Sequence, residues 1–198
     1  MSMPSLDDLQ VAGHVVIVRV DFNVPLADDG AGGRVITDTG RIHAALPTIE
    51  YLREHRARIL LLAHLGRPKG VVTPEASLEP VAQELSRVLS IDVPLAADLP
   101  QARDELNRAS DGGVVVLENI RFDARETSKD PAERAALARE LADLGDFFVS
   151  AGFGVVHREQ ASVTELAAFL PHAAGRLVER ESAVFSQLLA QPQRPYVV

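Results

Sequence analysis

Short apolar runs recur along the chain, and each one breaks off abruptly into polar residues and glycine. The runs cover residues 15–20, 59–63, 114–117 and 147–149. Apolar runs of this length, bounded by turn-forming residues, are typical of strands that are buried on both faces of a parallel sheet. The pattern therefore predicts four strands of one sheet.

Between these runs, apolar residues recur at spacings of three and four, which is typical of helices with one buried face. The predicted helices cover residues 42–52, 78–89, 99–109, 131–144, 163–170 and 177–189. Ser77 is expected to begin the second helix. For the fourth helix we expect a capping box that starts at Asp130, with Pro131 at the first helical position and Glu133 three residues after Asp130. A short strand is expected at 91–95, and residues 28–33 are expected to form a hairpin tip or an extended surface loop.

Strands that alternate with helices of ten or more residues predict an α/β fold with a mainly parallel sheet and helices on both faces. The 198 residues fit one large domain, or one domain and a fragment of another. We expect the domain to span residues 1–190. Residues 191–198 resemble a linker followed by the first residues of a new strand, which predicts a further domain downstream.

Composition excludes several classes of protein. The chain has no cysteine, so it can hold neither a disulfide framework nor a thiolate site. Its net charge of −8 argues against nucleic acid or an anionic membrane as the main partner. The first eight residues show no signal-peptide pattern, and no apolar run approaches the roughly 20 residues that span a bilayer. These features favour a cytoplasmic protein.

Polar and basic residues follow each of the four predicted strands. In chain order they are Asp21 and Asn23, His64 and Arg67, Asn119 and Arg121, and His157 and Arg158. Because open α/β sheets bind ligands at the carboxyl ends of their strands, these residues and Arg41 should form one basic face. Guanidinium groups match carboxylate and phosphate groups, so the predicted ligand is small and anionic. Asp21 and Asn23 are expected to accept hydrogen bonds from its hydroxyl groups.

Each of these residues also has a structural interpretation when it is considered alone. Asp21 and Asn23 are as well suited to capping a turn, and a histidine at a strand end is more often a satisfied polar residue than a base. Arg19 is interpreted as a structural ion-pair partner or a contact at the rim, and His157 is assigned no chemical step. The joint occurrence of such residues at four strand ends favours a binding site.

Cofactor motifs are missing from the sequence. The stretch 152–154 is not a dinucleotide fingerprint, and no phosphate-binding loop of the G-x-x-x-x-G-K-[ST] type occurs. No histidines and carboxylates show the spacing of metal ligands. We therefore expect no metal site and no cofactor site in this chain.

Five stretches resemble the amino-terminal domain of phosphoglycerate kinases, in the order in which that family has them. They are 18–25 (VRVDFNVP), 37–42 (TDTGRI) with 46–49 (LPTI), 64–70 (HLGRPKG), 117–122 (LENIRF), and 152–154 (GFG) with 157–158 (HR) and 161–162 (AS). They extend over nearly the whole chain, and the resemblance is therefore specific.

The resemblance implies a three-layer α/β/α Rossmann-like domain that binds 3-phosphoglycerate or 1,3-bisphosphoglycerate. It implies substrate contacts from Asp21, Phe22, Asn23, Arg41, His64, Leu65, Gly66, Arg67, Arg121 and Arg158. Of these, Arg41 would lie closest to the transferring phosphoryl group and would be the catalytic residue. The family reaction is the reversible transfer of a phosphoryl group between 1,3-bisphosphoglycerate and ADP in glycolysis. Mg-ADP or Mg-ATP would be bound by a second, carboxy-terminal domain.

The sequence departs from the family pattern at three positions. Ala151 stands where the family normally has aspartate, Thr39 where an acidic residue is usual, and Glu159 where lysine would be less surprising. The glycine-rich, lysine-containing nucleotide loop would begin just after Val198. Two hypotheses follow: the substrate-binding half of a phosphoglycerate kinase, with its nucleotide half in a longer chain or supplied in trans, or a non-catalytic relative that binds a phosphorylated acid or a protein partner.

Overall fold

The structure is a computed structural model that describes residues 4–28, 30 and 33–190. Its strands are β1 (Val15–Arg19), β2 (Leu26–Asp28), β3 (Arg34–Ile36), β4 (Arg58–Leu62), β5 (Leu95–Ala96), β6 (Val114–Leu117), β7 (Phe147–Ser150) and β8 (His172–Ala174). Its α-helices are α1 (Gly40–Glu54), α2 (Glu79–Leu89), α3 (Leu99–Arg108), α4 (Pro131–Ala142), α5 (Leu166–Phe169) and α6 (Arg176–Ala190).

The four predicted strands lie side by side at the centre of a parallel sheet. The strand order is β5-β6-β4-β1-β7-β8, and every neighbouring pair is parallel. In the register of β1, Val16 pairs with Ile59 of β4 on one side and with Phe147 of β7 on the other. All five residues of β1 are buried, as expected for the central strand of a sheet that is covered on both faces.

Two separate hydrophobic cores cover the two faces of this sheet. Because successive side chains of a strand point to opposite faces, Val16 packs with α1 and α2, whereas Ile17 packs with α3 and α4. Ile49 and Leu85 contribute to the first core from their helices, and Leu141 contributes to the second. The predicted three-layer α/β/α architecture is confirmed.

Some predicted elements differ from those in the structure. The prediction of a strand at 91–95 is wrong, since β5 begins only at Leu95. Ser90 has a left-handed backbone with φ of 54°, and the Val93 amide donates to Ser86 Oγ at 3.1 Å, so this segment turns back along the end of α2. The sequence pattern did not predict the three-residue strand β8. Residues around the 28–33 tip form a hairpin, in which β2 and β3 pair antiparallel.

The helix starts follow the predictions in part. Asp130 caps α4 by accepting from the Ala132 amide at 2.8 Å, but Glu133 binds the Ser128 hydroxyl instead of completing the box. The helix predicted over 163–170 begins as a π-helical turn, Ala161–Glu165, and continues as α5. Residues 191–198, for which we predicted a linker and a new strand, lie outside the described residues. Among the described helices, none has the length and apolar character needed to cross a membrane.

Candidate anion-binding site

The predicted site residues follow β1, β4, β6 and β7, which are adjacent in the sheet. Their carboxyl ends therefore meet at one edge, and the loops that leave them carry these side chains. Arg41 reaches the same edge from the first turn of α1. We call this edge, with the loops 19–25, 63–70, 118–127 and 151–162, the anion site.

Asp21 and Asn23 connect the loop after β1 to its neighbours. The Arg41 guanidinium donates to Asp21 Oδ2, and the Asn23 amide donates to Asp21 Oδ1 at 3.2 Å. The Asn23 side chain accepts from the amide of Gly66 at 2.9 Å, which joins the loops after β1 and β4. Arg41 is half exposed and keeps donors toward solvent. Both acceptors therefore have structural partners in this state, and their contact with ligand hydroxyl groups stays a prediction.

Arg121 has one donor bound and another one buried without a partner. Its Nη1 donates to the Gly66 carbonyl at 2.7 Å, whereas its Nε is sealed from solvent and has no hydrogen-bond partner among the described residues. Burial, followed by the charge of Arg158, lowers the pKa of Arg121. Arg121 lines a cavity of about 200 Å³ together with Arg67, Lys69 and Thr127. The cations clustered around this cavity favour an anion as its ligand.

Asn119 is a structural bridge in the site. Its Nδ2 donates to the carbonyls of Leu65 at 2.7 Å and Ala76 at 2.8 Å, and its Oδ1 accepts from the Arg121 amide at 3.1 Å. The side chain is buried. Asn119 therefore fixes the loop that carries Arg121 against the loop after β4, and all of its hydrogen-bonding groups are used in doing so.

His64 is buried, with only 2% of its surface exposed. Its Nδ1 lies 3.1 Å from Nη2 of Arg19. Burial lowers the pKa of His64 to about 2, and the charges of Arg19, Arg121, Arg158 and Arg41 add to this effect. His64 is therefore neutral and adds no charge to the basic face.

Arg19 is the most important residue whose place in the site the sequence analysis missed. It is fully buried, so the alternative of a rim contact is wrong. Its Nε donates to Ser162 Oγ at 2.9 Å, and this hydroxyl donates to the Glu126 carboxylate at 2.7 Å. Burial lowers the pKa of Arg19 to about 10, so the side chain keeps its charge. The sequence held one signal of this role, which is a charged residue, Arg19, inside an apolar strand. Glu126 lies in a polar stretch, where a further charged residue does not stand out.

The remaining predicted site residues differ in how far their side chains are exposed to solvent. Phe22 and Leu65 have side chains buried in the hydrophobic core, so only their backbone can face a ligand. Arg67 is exposed, and Arg158 is partly buried close enough to lower the pKa of both His64 and Arg121. Glu159, next in the chain, points elsewhere: its carboxylate lies 3.8 Å from Arg134.

A second cavity of about 220 Å³ lies beside the Asp21–Arg41 pair. Ala151 and Phe153 are among the residues that line it. Ala151 is buried, and its amide donates to the Arg19 carbonyl at 2.8 Å. The methyl group of Ala151 leaves this space open, and within the described chain Asp21 is the carboxylate that pairs with Arg41.

The donor set of the anion site suits phosphate and carboxylate rather than a metal ion. In the described ranges, no group of three or more histidine, aspartate or glutamate side chains is arranged to hold a metal. Arginines and a neutral histidine line the site, and hard cations such as Mg²⁺ require oxygen ligands. The site therefore does not itself fit the metal of Mg-ADP.

The phosphoglycerate kinase family model matches residues 6–198 of the chain. The chain belongs to the phosphoglycerate kinase family. It is 55% identical over 199 residues to the phosphoglycerate kinase of Bifidobacterium adolescentis, an alignment that covers 99% of this chain and 48% of that protein. The phosphoglycerate kinase of Corynebacterium glutamicum is 52% identical over 206 residues, with 100% of this chain and 50% of that protein covered.

Solved structures of the family share this fold. The phosphoglycerate kinase of Coxiella burnetii matches with a TM-score of 0.83 and 36% identity, over 98% of this chain and 47% of its own. The enzyme from Pyrococcus horikoshii matches with a TM-score of 0.85 and 31% identity, over the same shares of the two chains. The chain thus spans about half the length of the curated relatives it matches and corresponds to their amino-terminal half. The Rossmann-like α/β fold that the resemblance implied is confirmed.

Proposed function

We propose that this chain binds 3-phosphoglycerate or 1,3-bisphosphoglycerate in the anion site, as the substrate-binding half of a phosphoglycerate kinase. The observation that carries the proposal is the cluster of three cations, Arg67, Lys69 and Arg121, that lines one cavity at this edge of the sheet. A phosphate group there would compensate charges that otherwise repel one another, and a small rotation of the Arg121 side chain would let its unpartnered Nε donate to that phosphate. Arginine forks bind phosphate bidentately, which suits the two guanidinium groups.

The other predicted contacts are assigned around this phosphate position. His64 and Arg158 face the substrate next to Arg121, and Asp21 and Asn23 accept hydrogen bonds from its hydroxyl group. Phe22, Leu65 and Gly66 contribute through the backbone. The amide and carbonyl of Gly66 are already bonded to Asn23 and Arg121, so Gly66 acts by holding these two side chains in place.

We assign Arg41 to the transferring phosphoryl group. Its guanidinium is half exposed and is held at the mouth of the site by Asp21. Phosphoryl transfer depends mainly on positioning and on neutralising the charge of the transferring group, so a mobile nucleophile or base is not required. This requirement agrees with a site that is rich in arginine and has a neutral histidine.

The complete reaction moves the acyl phosphate of 1,3-bisphosphoglycerate onto ADP in glycolysis. We propose that Mg-ADP or Mg-ATP is bound by the half of the relatives that these 198 residues do not cover. A cytoplasmic location is part of the same proposal, because it rests on membership of this glycolytic family. The alternative, a relative that binds a phosphorylated acid without catalysis, draws support from Ala151, which leaves a cavity beside Arg41.

Calorimetric titration with 3-phosphoglycerate, and with Mg-ADP in parallel, tests the proposal. We expect the acid to bind and the nucleotide not to bind. Arg67→Ala and Arg121→Ala should each lower the affinity roughly tenfold or more, since a hydrogen bond to a charged group contributes about 1.5–3 kcal/mol. Arg56→Ala is the matched control, because Arg56 precedes β4 at the opposite edge of the sheet and pairs with Asp111. Unchanged affinity in both site variants would exclude this cavity as the phosphate site.

A further inference from the structure

A line of buried hydrogen bonds runs beneath the anion site, from Glu126 to His64. The Glu126 carboxylate accepts from the amide of Ser162 at 2.9 Å and from its hydroxyl at 2.7 Å. The hydroxyl in turn accepts from Arg19 Nε, and Arg19 Nη2 reaches Nδ1 of His64. Glu126, Ser162 and Arg19 are all fully buried. Charged groups are retained in such a place only where they are paired and hydrogen-bonded.

The contact between Arg19 and His64 determines where the imidazole proton lies. A guanidinium group has only donors, so Nδ1 of His64 must be the acceptor of this bond. A neutral imidazole that accepts at Nδ1 carries its proton on Nε2. Protonation of Nδ1 is opposed by the cations that face the ring, which are Arg19, Arg121, Arg158 and Arg41.

Nε2 of His64 is the atom that remains for a ligand. It has no hydrogen-bond partner in the part of the chain that the structure describes. The sealed and unpartnered polar side-chain atoms of that part are Arg121 Nε and Gln160 Oε1. Nε2 is not one of them, so it keeps access to the surface of the anion site.

We propose that Arg19 is a positioning residue that fixes His64 in the Nε2–H tautomer, so that His64 presents a neutral N–H donor to the bound anion. The Glu126–Ser162 pair holds Arg19 in turn by engaging its Nε. This inference rests on the proposed function for the identity of the anion. It adds the role of the buried residues beneath the site, which contact no ligand themselves.

Imidazole ¹⁵N–¹H correlation spectra of the histidine-labelled chain test the tautomer directly, without any ligand. The chain has six histidines, and His64→Gln assigns the signal of His64 by its loss. We expect a neutral Nε2–H pattern that is unchanged between about pH 5.5 and 8.5. A Nδ1–H tautomer or a protonated ring in this range would overturn the inference.

Arg19→Met tests whether Arg19 is the cause. Because this variant leaves Glu126 buried without its neighbouring cation, the charge-balanced variant Arg19→Met/Glu126→Gln is studied beside it. We expect both to show mixed tautomers and a His64 that gains a proton in the acidic part of the range, with affinity for 3-phosphoglycerate about tenfold lower at the alkaline end. Arg134→Met, which removes a buried arginine paired with Glu165, is the control and should keep the wild-type pattern. A wild-type pattern in both Arg19 variants would overturn the role of Arg19.

Titration of the wild-type chain with 3-phosphoglycerate separates this inference from the proposed function. A shift of the Nε2 proton on binding supports the donor role, and binding that leaves this signal unmoved overturns it. Failure of 3-phosphoglycerate to bind would instead overturn the proposed function. The tautomer and its dependence on Arg19 would still be decided by the ligand-free spectra.

Discussion

At the scale of single residues, Asn119 shows how a buried amide side chain positions an arginine of the binding site while it does not itself contact the ligand. Its three hydrogen bonds join the Leu65 carbonyl, the Ala76 carbonyl and the Arg121 amide. These groups belong to three different loop segments. Removal of the side chain would take a hydrogen-bond partner from each of them, and the two carbonyl bonds that would be lost are buried.

Asn119→Ala is expected to lower the free energy of unfolding by about 2–3 kcal/mol, as is typical when buried polar groups lose their partners. It should also weaken binding of 3-phosphoglycerate, since the Arg121 backbone is no longer fixed. Denaturant unfolding and calorimetry measure the two effects. Asn107→Ala, at an exposed position of α3, is the control and should change neither. Loss of stability with unchanged affinity would show that Arg121 is positioned by other contacts.

Single residues were predictable from sequence where their chemistry was conspicuous. The arginines after the strands, such as Arg67 and Arg121, could be assigned to one edge because four apolar runs fixed the strand ends. The protonation of His64 could not be predicted, because it depends on contact with Arg19, which is distant in sequence and is buried by the fold. The bridging of Asn119 depends in the same way on loop geometry.

At the scale of elements, the close approach of two loops controls the Asp21–Arg41 pair. The turn Phe153–Val155 after β7 passes so near the loop after β1 that a Cβ atom at Gly154 would lie 2.8 Å from Asp21 Oδ2. A residue with a side chain here would have to move the Asp21 carboxylate from its place beside Arg41. The constraint at Gly154 comes from this contact and not from its backbone, because its φ lies outside the left-handed region.

Gly154→Ala is therefore expected to displace the Asp21 carboxylate and to release Arg41, which weakens binding of 3-phosphoglycerate while the chain stays folded. Calorimetry and thermal unfolding measure these quantities. Gly13→Ala is the contrast: Gly13 has φ of +77° and no atom near its Cβ position, so that variant should lose about 1 kcal/mol of stability and keep its affinity. Equal affinity in the Gly154 variant and the wild type would mean that Asp21 does not hold Arg41 for the ligand.

Elements were predictable where burial gave them a repeating pattern. The central strands and α1 to α4 have apolar residues at regular spacing, and their existence followed from the sequence. By contrast, β8 has only three residues, and its pairing with β7 is defined by tertiary contact. The segment 91–95 is apolar enough for a strand, but the left-handed Ser90 turns it away from the sheet before Leu95.

At the scale of the whole molecule, the amino-terminal segment is tied to the last described helix. The Ala174 amide of β8 donates to the Pro4 carbonyl at 3.0 Å, and the Ser5 hydroxyl donates to Glu179 at 2.8 Å. Arg176, at the start of α6, donates to Asp7 at 3.0 Å and lies over the Tyr51 ring at 4.4 Å. These contacts hold the beginning of the domain, α1 and α6 together on one side of the sheet.

Acid should loosen this connection through Asp7. The hydrogen bond from Arg176, and then that from Tyr51, lower the pKa of Asp7 from 3.8 to about 2. A carboxyl group whose pKa is depressed in the folded state stabilises that state above its unfolded pKa, and the stabilisation is lost as the pH falls through the folded value. The contribution of Asp7 is therefore complete above about pH 5 and declines between about pH 4 and pH 2.

Asp7→Asn is expected to lower the melting temperature at neutral pH, and the difference from the wild type should shrink as the pH falls toward 2. High salt should also reduce the difference, because Asp7 is exposed and its ion pair is screened. Thermal unfolding across this pH range measures both effects, with Asp92→Asn as the control, since Asp92 is exposed and has no ion pair among the described residues. If the difference in melting temperature persists unchanged at low pH, the effect comes from the shape of the side chain and not from its charge. If there is no difference at neutral pH, the other contacts alone hold the amino-terminal segment to α6.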